Sequence, residues 1–423
     1  MNRIFKFNIL QLIAIVLIPL LAGFIIGTNK VQVAWKSFKP IISISSKNPP
    51  QAKNLDMSLF YDVLDKLNSQ YYDKSKLDSK KILYGAITGA LQSLDDPYTA
   101  FFPPQQNTEF KTQLAGEFSG IGAELSLSQD NRIEVVAPLD SSPAEKAGIK
   151  SGDFILKVDG KDTSGWTVAQ AVDKIRGKKG TTVALTVVHE KDKTPFEVSI
   201  VRDTIVVKSV TGWVKQVSCT GTDCKEGGDA SVGYIRLSQF GDKTNDEWLA
   251  TVNKLSVDIA KAQNFKGIIL DLRNNPGGYL SDAVFIASEF VKDGVVVSQQ
   301  DGEGQVTSLS VSRKGLFTDY PIIVLVNKGS ASASEIVTGA LRDHGRAKVV
   351  GEKSFGKGTV QQAVDVDGGA SVHISIAKWL TPNGTWVHGK GLEPDIKVEL
   401  DPKTVGTSGF DNQLQRAISE ITK

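Results

Sequence analysis

Metal-ligating residue types are scarce in this chain, whose 423 residues include four histidines and two cysteines. His189, His344, His373 and His388 are scattered, and no H-E-x-x-H or similar cluster occurs, so neither a metal site nor any cofactor is expected. Charge of one sign is also lacking. Lys plus Arg number 49 against 47 for Asp plus Glu, a net charge of +2, which gives no polyanion-binding bias and makes nucleic acid a poor partner. There is no internal repeat apart from a strand-turn-helix unit used twice. Cys219 and Cys224 bracket a polar, Gly-rich loop, VSCTGTDCKEGG, with no His or third Cys nearby. In an exported chain such a pair closes a small disulfide, a loop staple of little functional weight.

What is present is ordinary globular composition, 40% apolar and 23% charged, with length for two to four domains. The exception is the N-terminus. No charge occurs between Lys6 and Lys30, and 9–26 is almost wholly apolar, broken by Gln11 and Pro19. About 20 apolar residues are needed to cross a bilayer, so 1–30 reads as a transmembrane anchor. Arg3 and Lys6 precede the run, which favours a cytoplasmic N-terminus with the remainder on the extracytoplasmic, periplasmic side. A cleaved signal peptide is the rival reading, although no clear A-x-A site follows.

Residues 31–55, which include SISSKNPPQAKN, read as a stalk linker. Helical periodicity marks 56–112 as a helical domain, with Phe60, Val63, Leu64 and Leu67 on one stripe and Ile82, Ala86, Ala90 and Leu91 on another. Pro97, Pro103 and Pro104 stop helix continuation. Short strands with one or two helices follow over 113–204. From 205 to 400 strands at 232–237, 267–272, 322–326 and 348–350 alternate with helices at 246–262, 280–291 and 333–344, an α/β layer pattern. A helical tail, 401–423, ends the chain. This tail and the helices beyond the stalk offer surfaces for a homo-oligomer.

Within 113–204, Pro143-Ala-Glu-Lys-Ala-Gly148, Gly152-Asp153 and Asp159-Gly160 resemble a PDZ domain of the bacterial type. That resemblance implies a peptide added as a strand to a sheet edge, with its terminal carboxylate held by the amides of Gly120, Ile121, Gly122 and Ala123.

Three segments carry chemistry in the last large domain. LDLRNNPGG runs a buried strand into a glycine turn whose amides lie next to a helix N-terminus and can cradle developing negative charge. GSASASEI places Ser332 among small residues at a strand-to-helix junction. Taken alone, Ser332-Ala-Ser-Glu335 is also a capping box, and that reading is the stronger one for the isolated segment. VGEKSFGKGTVQ sets Lys357 between two glycines; if 357–361 were strand, Lys357 and Gln361 would share a face.

These three motifs, with LTPNGTWVHGKGLEPDI further on, resemble the C-terminal processing peptidases, or tail-specific proteases, over about 56–396 and in the family's domain order. The resemblance implies a multidomain α/β protein: a crotonase-like protease core with an inserted PDZ domain and an N-terminal helical domain. It implies a serine endopeptidase in which Ser332 is the nucleophile, Lys357 the base, and Gln361 the residue that orients the lysine. The backbone amides of Ala333 and Gly277 would form the oxyanion hole, and Arg176 would couple the PDZ domain to the core. The partners are then protein substrates bound by their C-termini. A lysine serves as a base only when neutral, and each unit of depression from its usual pKa of about 10.4 corresponds to about 1.4 kcal/mol, which desolvation can supply. Three alternatives stand beside this reading: a catalytically silent PDZ adaptor, a crotonase-like acyl-transfer enzyme, and a Ser-His arrangement using His373 or His388.

Overall fold

The structure, a computed structural model, describes residues 17, 31–36, 39–44, 56–128, 130–139, 142–189, 194–401, 404 and 409–423. Apart from Leu17, the expected membrane anchor lies outside them. No helix among the described residues is long and apolar enough to cross a membrane.

Two units divide the chain, Met1–Ile82 and Leu83–Lys423. In the first, strands Val31–Lys36 and Lys39–Ile44 pair antiparallel. The expected stalk at 31–55 therefore begins as a hairpin, in keeping with the β-branched and aromatic content of VQVAWK and KPIISI. Helix Ser58–Gln70 follows and buries none of its residues.

The division between units falls inside the stretch read as one helical domain, 56–112. Beyond it, strand Ala100–Phe102 pairs with Ser371–Leu380, and Asn107 of helix Pro104–Leu114 donates to Gly369 O at 3.1 Å and accepts from Ser371 Oγ at 2.9 Å. Long-range pairing, invisible to local periodicity, assigns these residues to the second unit.

In the segment read as a PDZ domain, five strands run in the order Phe196–Val201, Thr182–Val188, Phe154–Val158, Ile133–Pro138, Ala123–Leu127. Val183, Leu185 and Val187 alternate inward along one strand and pack with Ile133, Val135 and Ile155. Ala123–Leu127 ends this sheet on the side of helix Val168–Ile175.

The rest is built on a seven-stranded sheet ordered Asp223–Glu226, Val210–Thr220, Ala230–Leu237, Phe265–Asp271, Ile322–Val326, Ala347–Gly351, Ile396–Lys397. From Ala230–Leu237 onward the pairs are parallel. All five residues of Ile322–Val326 are buried, as expected for a central parallel strand covered on both faces. One face carries helices Thr244–Lys261, Leu280–Ala287 and Ala333–Asp343, which contribute Trp248, Val252, Ile286, Ile336 and Leu341 to the main core. Leu280–Ala287 is shorter than the expected 280–291, because its end tightens: Glu289 and Phe290 donate to carbonyls three residues back.

The opposite face is covered by helix Asn412–Thr422, whose Leu414, Ala417, Ile418 and Ile421 pack on Ile269, Ile323 and Leu325. The expected tail is thus part of the core, and the apolar stripe offered above for pairing chains is already buried. Cys219 and Cys224 form a disulfide across the outermost hairpin. A second sheet, ordered Val306–Ser310, Val295–Asp301, Ser371–Leu380, Thr359–Asp365, completes the unit.

Candidate active site

Strands Phe265–Asp271 and Ile322–Val326 lie side by side, so the turns that follow them meet. Asn275 O accepts from Ala331 N at 3.0 Å and Ser334 Oγ at 2.9 Å, and Leu272 O accepts from Ser330 Oγ at 2.8 Å. Gly277 sits directly against Ser332. A Cβ on Gly277 would stand 2.8 Å from Ala331 O, 2.8 Å from Ser332 Cβ and 3.0 Å from Ala333 N, and its φ is +96°. Only glycine fits there.

Ser332 itself has φ 55°, a left-handed conformation that costs a non-glycine residue about 1–3 kcal/mol and clusters at functional sites. The capping box is present: Glu335 Oε2 accepts from Ser332 N at 2.8 Å, and the Glu335 N–H faces the Ser332 hydroxyl. A hydroxyl that accepts a cap bond keeps its own proton to give, so cap and nucleophile are compatible roles.

Glu335 is the residue that sequence reasoning used least. Its carboxylate is fully buried and receives four donors. Oε2 takes the N–H groups of both Ser332 (2.8 Å) and Lys357 (2.9 Å), while Oε1 takes Ser354 Oγ (2.6 Å) and Gly356 N (2.7 Å). One oxygen therefore ties together the backbones of the two residues expected to carry the chemistry. The capping-box pattern pointed at Glu335, but nothing in it marked the reach to Lys357.

Lys357 does not lie on a strand. Thr359–Asp365 begins two residues later, so the strand alternation that would have put Lys357 and Gln361 on one face does not extend to Lys357. Gln361 Nε2 donates instead to Thr359 Oγ1 at 2.7 Å and Ser375 Oγ at 3.3 Å. Burial pushes the Lys357 amine below its usual range, opposed by the carboxylates of Asp96 and Glu335. Its Nζ lies 5.3 Å from the Tyr98 ring centroid, and no hydrogen bond joins it to the Ser332 hydroxyl in this structure.

Asp96 and Tyr98 come from LDDPYT, which the sequence reading used only as a helix stop. Asp96 accepts from Tyr98 N at 3.0 Å and Thr99 Oγ1 at 2.6 Å, and Thr99 Oγ1 accepts from Ser375 N at 3.0 Å, fastening the turn to the strand beside Gln361. Among the described residues no histidine ring is hydrogen-bonded to Ser332. His373 stacks on Phe102 at 4.1 Å, with a pKa lowered by burial and then by Lys357, and His388 packs edge-on against Tyr98.

Of the expected oxyanion donors, the Ala333 N–H has no hydrogen-bond partner among the described residues, whereas the Gly277 N–H donates to Asn275 Oδ1 at 2.9 Å. The expectation for Gly277 is corrected to that extent: the Asn side chain two residues earlier already satisfies its amide. The next amide, of Gly278, has no such partner.

In the segment read as a PDZ domain, Gly120 closes strand Glu117–Gly120, and Ile121 O and Gly122 O accept from Ala144 N (2.8 Å) and Leu139 N (2.9 Å). Ala123 opens the edge strand. The Arg176 guanidinium lies 4.8 Å above the Phe118 ring, beside this loop.

Comparison with known proteins agrees with this layout. The profile of Peptidase family S41 matches residues 231–398, and that of the PDZ domain matches 111–188. The carboxy-terminal-processing protease of Bartonella bacilliformis is 38% identical over 88% of this chain and 81% of its own length. Carboxy-terminal processing protease CtpA of Bacillus subtilis is 39% identical over 79% of this chain and 67% of its own. Among solved structures, the photosystem II D1 C-terminal processing protease superposes with a TM-score of 0.51 at 29% identity, covering 84% of this chain and 90% of that one. A putative S41 protease from Bacteroides fragilis shares the fold, with a TM-score of 0.56 at 16% identity over 80% of this chain and 89% of its own.

Proposed function

Because this chain belongs to the carboxy-terminal processing proteases of peptidase family S41, a PDZ-containing serine endopeptidase family, we propose that Ser332 is its nucleophile and Lys357 its general base. The observation that carries the assignment is the single Glu335 oxygen bonded to the N–H groups of both residues. Ser332 Oγ attacks the substrate carbonyl as its proton passes to neutral Lys357 Nζ. The lysine then protonates the leaving amine, and water hydrolyses the acyl-enzyme. For the first step the lysine side chain turns from the Tyr98 ring towards Ser332. Gln361 lies close enough in sequence to orient it once there, adding no negative charge that would hold the proton. The oxyanion is received by the N–H of Ala333 and by the open amide of the glycine turn, Gly278.

The loop Gly120–Ala123, at the mouth of the edge strand, is read as the seat of the substrate's C-terminal carboxylate, with Arg176 relaying occupancy to the core. The parallel centre of the large sheet, helix-covered on both faces, supports a crotonase-like description. The charge-free run at 9–26 supports a membrane-anchored protein with a periplasmic catalytic part; loss of carbonate-resistant membrane retention on deleting 1–30 checks this. Helix Ser58–Gln70, which exposes Leu59, Val63 and Leu67, supports a homo-oligomer, to be checked by sedimentation.

The central test is incubation of the protein with an unfolded substrate carrying a free apolar tail, followed by mass analysis of the products. Ser332→Ala and Lys357→Ala are each expected to abolish cleavage while retaining tail binding. Hydrolysis at the parent rate by either variant would end the assignment, and loss of tail binding in Gly120→Asp, where a new Cβ meets nothing closer than 3.5 Å, is the expected signature of the carboxylate loop.

A further inference from the structure

Arg273 takes no part in the chemistry above, yet its side chain is the most heavily anchored near the glycine turn. Its Nε and Nη2 donate to Asp271 at 2.7–3.1 Å. The other side of the guanidinium reaches the C-terminal segment: Nη1 and Nη2 donate to the two oxygens of Asp411 at 2.8 and 3.0 Å, and Nη1 to Gln413 Oε1 at 2.9 Å. Burial disfavours this charge, but Asp271 and Asp411 hold the arginine pKa above its usual range, so it is a fixed cation.

Asp411 is also the N-cap of helix Asn412–Thr422, accepting from Leu414 N at 2.9 Å, and buried Gln413 donates to Val398 O at 2.8 Å. The preceding Phe410 stacks on Trp213, which stacks on Tyr234, whose hydroxyl donates to Asp271 at 2.8 Å. The residues flanking Arg273 grip the turn that carries Ser332. Leu272 O holds Ser330, Asn274 N donates to Asn327 Oδ1 at 2.8 Å, and Asn275 O holds Ala331 and Ser334.

We propose that Asp411 is a positioning residue for the active site: by gripping Arg273, the last helix of the chain fixes the glycine turn against Ser332. The cap makes the helix begin there, and the bidentate fork fixes distance and direction together, as a lone packing contact does not. The inference rests on the Ser332 reading above.

It is tested in the full chain with Asp411→Asn and Asp411→Ser. Both replacements still cap a helix, but neither offers two charged oxygens to the guanidinium. With a fluorogenic peptide bearing a free apolar C-terminus, kcat is expected to fall by about tenfold or more with KM within about twofold, the pattern of a misplaced catalytic group. Ser332 labelling by a fluorophosphonate should slow by a similar factor, while the melting temperature shows the protein folded under assay conditions. Unchanged kcat, or a loss no greater than the unfolded fraction, overturns the proposal. Should both variants unfold, Gln413→Met removes one acceptor of Arg273, together with the bond to Val398 O, and leaves the cap; a kcat loss of about threefold beyond any unfolded fraction supports the proposal and none overturns it. Ser332→Ala separates the two levels. Hydrolysis persisting in that variant sinks the nucleophile assignment, whereas an inactive Ser332→Ala beside a fully active Asp411→Asn sinks only the role of Asp411.

Discussion

The core uses the same strand-turn-helix unit twice, side by side, and puts an acid at the third residue of each helix. Asp282 holds that place in Leu280–Ala287 and Glu335 in Ala333–Asp343. Both are buried, yet their surroundings differ. Asp282 Oδ1 accepts from Asn245 Nδ2 at 3.0 Å, while among the described residues Asp282 Oδ2 and Asn245 Oδ1 are buried with no hydrogen-bond partner. Burial, with help from Asp242, raises the Asp282 pKa. Glu335 is met by four donors, three of them backbone amides. A helix N-terminus favours an anion by a few tenths to about 1 kcal/mol, less than the cost of leaving a buried oxygen unpaired. What makes one acid an organising centre is the loop 354–357 that comes to it, and the first unit has no counterpart.

The largest effect is expected from equalising the two acids. Glu335→Gln replaces one acceptor oxygen with an NH2 group facing two donors. It should destabilise the fold by about 3 kcal/mol or more, read by denaturant unfolding, since hydrogen bonds to a charged group contribute about 1.5–3 kcal/mol each. Cleavage should fall about 100-fold, because Ser332 and Lys357 lose their common tether. Parent-like activity would show that the shared oxygen does not position the pair. Next comes Gly277→Ala, where the new Cβ meets Ala331, Ser332 and Ala333 at 3.0 Å or less. A loss of kcat of about tenfold or more is expected. Gly345→Ala, just past the far end of the Ser332 helix and with nothing within 4 Å of its Cβ, is the control: its left-handed φ costs about 1 kcal/mol and leaves kcat alone.

The same contrast explains what could be read from the sequence. The buried strands, the two turns and the helix after Ser332 follow local rules, and 322–326 falls on the observed strand residue for residue. The side-chain roles that depend on distant pairing did not follow. Alternation puts Gln361 on the face of Lys357 only if the strand includes Lys357, and the strand begins at Thr359. The motif offers Gly277 as a donor, and nothing local shows that Asn275 folds back on its amide. Asp96, Tyr98 and Asp411 are 261, 259 and 54 residues from Lys357 in sequence; their proximity to the site exists only once Ala100–Phe102 joins the second sheet and the last helix docks. A turn motif and a capping aspartate carry no local mark of either event.

Lys357 gives a finer comparison, between an acid that fastens the site and one that charges it. Asp96, Glu335, Tyr98 and His373 all face its amine electrostatically or through the ring contact. The Asp96 carboxylate holds the proton on Lys357, opposing burial. Asp96→Asn should therefore lower the lysine pKa and move the ascending limb of the kcat/KM profile to lower pH, with a change of about threefold at most on the plateau. An unmoved or upward-shifted limb would mean that Asp96 does not act on the base.

The smallest effect should come from the other acid, and its sign is opposite. The folded-state pKa of Asp282 is raised, so the folded protein binds the proton more tightly than the unfolded chain. Stability from this group is present below the unfolded value of about 3.9 and is lost as pH rises through the folded pKa. At neutral pH the ionised carboxylate is a buried charge with one oxygen unpaired. Asp282→Asn removes that charge and supplies an NH2 group where Asn245 Oδ1 lacks a donor, so it should raise stability by about 1 kcal/mol near pH 7. The gain should fade as pH falls through the raised folded-state pKa, since the native carboxyl is then protonated and already neutral. Urea midpoints for parent and variant across that range decide it. A loss of stability at pH 7, of the kind expected for Glu335→Gln, would show that the two helices hold their acids for the same reason after all.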